Sequence, residues 1–200
     1  LVNDVEWKFL KLREDHLPNK GFLTRAIEPA QASKVSPFLT EVFGQNTIEQ
    51  SRIPFRCPFQ NLNDGKVEWS RHGRLDEALK RCLPFPPLYK NDTLVAAPFM
   101  AREAIRTLRK EGYNVIVLVN VLENSDLLRN TVDSQVESLI IWNHIKQEMV
   151  EATLMADEVA SVFVSQKEDI MAFSARRNFI AAGQRAGKAL AQRIVNRYGL

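Results

Sequence analysis

The chain has 200 residues, 45% hydrophobic and 26% charged, with 27 basic and 24 acidic side chains for a net charge of +3. That is the make-up of a globular chain large enough for one substantial core, and it excludes a disordered tail, a collagen-like repeat and a disulfide-stapled miniprotein. The slight basic excess gives no reason to expect nucleic acid, whose binders concentrate Lys and Arg on one face.

The first fifty residues read as helices broken by loops. Val5, Phe9 and Leu12 fall on one face of a short helix, and a loop follows around Pro18, Asn19 and Gly21. Val35, Phe38, Leu39, Val42 and Phe43 repeat at helical spacing, with Pro37 expected in the first turn and Gly44 as the C-cap. Ile53 to Leu62 reads as extended, and Asp64-Gly65 as the turn of a β-hairpin whose second arm alternates through Val67 and Trp69. Pro54 and Pro58 each lack a ladder donor, so that strand is expected at a sheet edge or with a bulge.

Leu75, Ala78, Leu79 and Cys82 mark a short helix that ends before Pro84, Pro86 and Pro87. Strand and helix then alternate. Thr93–Ala96 is expected as a short strand, Met100–Leu108 as a helix closed by Gly112, and Val115–Val121 as a strand buried on both faces. A long helix follows over roughly Val132–Leu154, with Val136, Leu139, Ile140, Ile145 and Met149 inward, then a strand over Ala160–Val164. The last helix, about Ser174–Tyr198, aligns Ile180, Gly183, Gly187, Leu190 and Ile194, the two glycines being read as a place of close core packing. This order predicts an α/β fold, one domain or part of a domain over residues 1–200 with 1–47 as a helical lead-in.

Catalytic apparatus is hard to find. The sequence contains no G-x-S-x-G elbow, no G-x-x-x-x-G-K loop and no G-x-G-x-x-G turn. His16, His72 and His144 are scattered without carboxylates at metal spacing, so neither a metal site nor a cofactor is expected. The carboxylate pairs Asp76/Glu77 and Glu123/Asp126 lie in polar stretches and read as solvated surface. Cys57 and Cys82, 25 residues apart, read as buried free thiols. Arg102, Arg106 and Arg109 share one face of a helix, with Lys110 beside them, and read as a solvated outer face ahead of a phosphate-binding patch. Arg176, Arg177, Arg185, Lys188 and Arg193 could join them in a surface attractive to anionic lipid.

No run approaches the roughly 18 apolar residues that span a bilayer, the longest being Val115 to Val119. Residues Leu1 to Trp7 lack the basic region of a signal peptide, which leaves a soluble or membrane-peripheral chain as the expectation. The chain begins with Leu rather than Met, as a processed product or part of a longer polypeptide would.

One resemblance emerges from the order of motifs. Ile53-Pro54-Phe55-Arg56, Asn61-Leu62-Asn63-Asp64-Gly65, Arg71-His72-Gly73-Arg74-Leu75, Ala78-Leu79-Lys80-Arg81-Cys82 and Leu83-Pro84-Phe85-Pro86-Pro87 follow in sequence, then Gly112-Tyr113-Asn114-Val115-Ile116-Val117, Phe173-Ser174 and Ile180-Ala181-Ala182-Gly183. Residues 48–200 thereby resemble the second half of a bacterial patatin-like phospholipase domain, of the neuropathy-target-esterase-like branch. The resemblance implies a three-layer αβα fold, only the second half of which lies in this chain. It also implies lipid acyl hydrolysis by a Ser–Asp dyad.

The serine and its glycine-rich loop belong to the family's first half, which this chain lacks. The family's Asp-Gly-Gly turn aligns with Ala96-Ala97-Pro98, so Ala96 stands where the dyad Asp is expected, and Asp92 is a weak substitute four residues earlier. A serine without a base is a poor nucleophile. The expectation is therefore an inactive patatin-like module that binds lipid or protein. The alternative is the C-terminal part of an active phospholipase A or lysophospholipase-type hydrolase whose nucleophile lies outside this chain. Expected partners are phospholipid or a membrane surface, and, because half a sheet leaves an open edge, the missing first half, a second chain or a homo-oligomer.

Overall fold

The computed structural model describes residues 19–20, 27–28, 30–85, 89–122, 135–163 and 176–199. The chain is mixed α/β, built on short sheets with helices packed against them.

Near the N-terminus, β1 (Asn19–Lys20) pairs antiparallel with β2 (Ile27–Glu28), and β3 (Ala30–Gln31) leads directly into α1 (Ala32–Phe43). Val35 and Leu39 are the buried members of the expected helical stripe, and the amide of Gly44 closes α1 on the Thr40 carbonyl at 2.8 Å. Pro37 departs from expectation. The helix begins at Ala32, so Pro37 sits in its second turn and the Ser33 carbonyl loses an intrahelical donor. The candidate helix through Val5, Phe9 and Leu12, and His16 with it, lies outside the described residues.

The hairpin forms as expected, with β4 (Cys57–Asn61) antiparallel to β5 (Val67–Ser70) in the register Phe59↔Glu68. Its turn is held by the Asn63 amide on the Asn61 side chain and the Lys66 amide on the Asp64 side chain, both 3.0 Å, with Gly65 at φ +69°. The edge placement drawn from the prolines is corrected. β4 is the central strand, flanked by β5 and by β7 (Leu94–Ala96). Pro58 is tolerated because pairing with β7 runs only from Phe59 to Asn61, so its absent donor falls beyond the end of that ladder.

Helix α2 (Leu75–Cys82) packs on this sheet and on α1, burying Ala78 with Phe59 and Val95. Two expectations fail here. Cys57 and Cys82 are not free thiols: the start of β4 and the end of α2 meet with Cα atoms 6.0 Å apart, and the two are joined as a disulfide. Asp76 is not solvated surface but fully buried, while Glu77 beside it is exposed. The Asp76 carboxylate accepts from Thr40 Oγ1 at 2.9 Å, Arg74 Nε at 3.0 Å and Nη2 at 2.9 Å, and Lys80 Nζ at 3.3 Å. The Arg74 guanidinium in particular holds its pKa far below the usual aspartate range.

Beyond β6 (Tyr89–Lys90), which runs parallel to β3, the chain passes through β7 and a 3-10 turn (Ala97–Phe99) into α3 (Ala101–Lys110). Gly112, at φ +90°, ends α3 as expected. Strand β8 (Val117–Asn120), helix α4 (Gln135–Met155) and strand β9 (Glu158–Ser161) then form a β-α-β unit with the strands parallel, Val119 beside Ala160. Ile116 and Leu118 point toward α3 and α4, where they join Ala101, Ile105, Met149 and Ala152. Trp142 and Ile145 pack with Phe85, Tyr89 and Phe99, linking α4 to the segment around β6 and β7. Helix α5 (Arg176–Tyr198) lies against β9.

The uncharged run is therefore not buried on both faces. Burial alternates along it: Ile116 and Asn120 are buried, whereas Val115, Val117, Val119 and Val121 are exposed. Helix α5 covers β9, and among the described residues nothing covers the matching face of β8. Leu139 and Ile140, expected inward, are also exposed, while Ile145 and Met149 do pack in the core.

Candidate functional site

Ala96 ends β7, 5% exposed and opposite Phe59, and its amide donates to the Pro84 carbonyl at 2.7 Å. The chain turns immediately through Ala97-Pro98-Phe99 toward α3. The side chain at this strand end is a buried methyl, which neither accepts a proton nor orients a base. Asp92 lies on the exposed turn before β7, which is organised instead by Asn91, whose Oδ1 accepts from the amides of Thr93 and Leu94, each at 2.9 Å. The structure does not fold Asp92 back onto the position of Ala96.

The histidines are not brought together. His72 is exposed beside Glu49 (3.5 Å), and His144 stacks on the Phe99 ring at 5.9 Å from α4. Among the described residues no group of three His, Cys, Asp or Glu side chains could hold a metal ion. Glu123 and Asp126 lie outside the described residues.

The basic residues have mostly structural partners. Arg102 reaches from α3 to Glu148 (2.5 Å) and Glu151 (2.6 Å) on α4, which raises its own pKa and lowers that of Glu151. Arg109 pairs with Asp157, whose carboxyl is held low first by the Ile116 amide and then by Arg109. Arg102 and Arg109 therefore clamp α3 to α4 and to the start of β9, which corrects the reading of a solvated outer face. Arg106 pairs loosely with Glu103, at 3.8 Å, and Lys110 is exposed.

On α5, Arg197 (3.0 Å) and Arg193 (3.4 Å) share Glu158, and Arg197 is the main reason that Glu158 stays below the ordinary glutamate value. Arg177, Arg185 and Lys188 remain exposed, with no ion pair among the described residues. The motif residues Arg56 and Arg71 converge on Glu111, with Arg56 stacked between Trp69 (5.2 Å) and Tyr113 (5.3 Å). These are staples between the hairpin and the end of α3.

What the fold leaves open is apolar. Between α5 and the carboxyl ends of β8 and β9 runs a groove of about 540 Å³, within the size range of small-molecule sites. Val119, Val121 and Val162 form its floor; Phe179, Gly187 and Leu190 form its helical wall. Carboxyl ends of parallel strands are where α/β sheets usually place ligands. Gly183 and Gly187 do not serve close core packing: a Cβ added at either would meet nothing within 4 Å, so the missing side chains are what keep the groove open. A more polar groove of about 680 Å³ flanks the other side of α5 along β9, with Glu158, Arg185 and Arg193 in its walls.

Sequence reasoning aligned Gly183 and Gly187 correctly on α5 but missed the space beside them. It also missed Asp76, although Arg74 and Lys80 at i−2 and i+4 were the local signal for a paired carboxylate. No helix among the described residues is long and apolar enough to cross a membrane. Set against known proteins, the chain matches no family model and no curated protein.

Proposed function

We propose that this chain is a patatin-like α/β module that binds and assembles without hydrolysing, and that the groove between α5 and the β8–β9 pair receives an acyl chain of a phospholipid. The observation that carries this reading is the groove itself, apolar along its length and held open by two glycines. Such a lining favours burial of hydrocarbon and offers no nucleophile or base among the described residues. Ala96 supports the non-catalytic half, because a methyl group at the dyad position leaves any serine without its proton acceptor. The cations Arg177, Arg185 and Lys188 on α5 suit an anionic bilayer surface. The three-layer patatin arrangement is part of the same proposal.

The competing reading, a C-terminal part of an active dyad hydrolase, requires Asp92 to serve as the base from its exposed turn. Binding of a pyrene-labelled phospholipid, and of mixed phosphatidylcholine–phosphatidylglycerol vesicles, tests the proposal. Gly187→Leu places a branched side chain in the groove and is expected to weaken labelled-lipid binding about tenfold or more, the loss of roughly one buried aliphatic contact. Unchanged binding would remove the groove from the argument. Fatty-acid release by the unmodified chain, lost in Asp92→Asn, would establish the competing reading instead.

A further inference from the structure

Strand β8 has a ladder on one side only among the described residues. The amide of Glu158 donates to the Ile116 carbonyl at 3.3 Å and that of Val162 to the Asn120 carbonyl at 2.8 Å. The even-numbered peptide groups of β8 thus face β9. In a parallel pair alternate residues face one neighbour, so the N–H and C=O groups of Val117, Val119 and Val121 point away from it. Their side chains are 36%, 56% and 56% exposed.

Residues 114–122 contain no charge and no proline, the devices that normally blunt such an edge. The opposite edge differs: the outward carbonyl of Val159 on β9 is already taken by Arg193 Nη2 at 2.5 Å.

The open edge is self-complementary. Its outward residues are three valines symmetric about Val119, and we propose that β8 pairs antiparallel with β8 of a second copy of this chain, about a two-fold axis through Val119. Val119 then faces the partner's Val119 and Val117 faces the partner's Val121, so that every outward peptide group of the three valines finds a partner. With no charged side chain in 114–122, the axis brings no like charges into register. A strand edge alone falls short of the roughly 800 Å² per partner of a stable interface. The flank of α4 adjoins it, where Val150 and Leu154 stand exposed over a cleft of about 440 Å³ shared with Asn120 and Leu122. In a continuous sheet the two α4 helices come within packing distance, about 8–10 Å, and cover those flanks. This deepens the assembly half of the function proposed above; of the three seam residues Val119 and Val121 also line the lipid groove, whereas Val117 lies outside it.

Sedimentation equilibrium of the unmodified chain is expected to show a concentration-dependent dimer. Because Cys57 and Cys82 are joined to each other, a cysteine introduced by Val119→Cys is the only free thiol. Opposed residues of this pair type lie about 5.5 Å apart between Cα atoms, inside the disulfide range. Val119→Cys should therefore link to itself under mild air oxidation. Val117→Cys should not, but should link to Val121→Cys when the two are mixed. Val117→Lys, outside the groove lining, should give a monomer with unchanged circular dichroism that still binds labelled phospholipid, whereas Gly187→Leu should lose lipid and still dimerise. A monomer at every concentration overturns the proposal, and so does self-linking of Val117→Cys as efficient as that of Val119→Cys.

Discussion

Replacement of Asp76 tests how the N-terminal half is held together. Its buried carboxylate is the point at which Thr40 of α1 and Arg74 and Lys80 of α2 meet. Hydrogen bonds to a charged group contribute about 1.5–3 kcal/mol each when both partners are shielded. Arg74 is half exposed and recovers water when the contact is lost, so its share is discounted. Lys80 is more enclosed, whereas Thr40 is itself exposed and its share is discounted too; with Asp76 itself fully buried, Asp76→Ala is expected to cost about 3 kcal/mol, at the lower end for breaking a buried pair. Asp76→Asn keeps the volume and one acceptor for Thr40, and is expected to cost about 2 kcal/mol. For a chain of this length the alanine variant should melt roughly 6–12 °C lower.

The pH dependence is diagnostic. The folded-state pKa of Asp76 lies below the ordinary value of 3.8, so near and below that value the unfolded chain binds more protons. Its stabilising contribution is complete above about pH 4 and is lost as the pH falls further. Urea unfolding between pH 7 and pH 3 should show Asp76→Asn and the unmodified protein far apart at neutral pH and converging in acid. Other carboxylates held low, such as Glu111, Asp157 and Glu158, act with the same sign and leave both proteins acid-sensitive. A neutral-pH difference below about 0.5 kcal/mol, the size of an ordinary surface change, would refute the reasoning, as would a difference that does not shrink in acid.

Two further outcomes follow from covalent and backbone features. Reduction of Cys57–Cys82 opens a loop with a sequence separation of 25 and is expected to lower stability by about 3.5 kcal/mol on the chain-entropy account, readable as a shifted urea midpoint with and without a phosphine reductant. An unmoved midpoint would mean that the bond constrains nothing beyond what α2 and β4 already fix. Gly183→Ala and Gly187→Ala should each stabilise α5 by about 0.4–1 kcal/mol, since both positions are helical and the added methyl meets open space. A lower Tm in either variant would show that the site is closely packed after all.

Local chemistry made much of the fold legible. Asp64-Gly65 located the hairpin, Gly112 the end of α3, and the alternation of apolar runs and helical stripes the β8-α4-β9 unit. What escaped was whatever depends on a partner distant in sequence. Val115 to Val121 is apolar except for Asn120, and such a run cannot say which of its faces is covered; here the buried face carries Ile116 and Asn120 while the valines stay outside. Pro58 suggested an edge because sequence gives no length for the neighbouring strand, and β7 happens to stop one pair short of it. A separation of 25 residues is silent about whether Cys57 and Cys82 meet. At the groove, Gly183 and Gly187 were visible as spacing, but small residues mark either a tight contact or a void, and only the position of β8 and β9 decides which.

The guanidinium that Arg193 places on the outward carbonyl of Val159 acts as a chain terminator. A sheet with receptive edges on both sides can recruit copies without limit, and the product is a fibre. In the β8–β9 sheet the β9 edge carries that cation, so the proposed association through β8 would use the one receptive edge of this sheet and close as a pair. Removing that one side chain would change the stoichiometry of assembly while leaving the strand that assembles untouched.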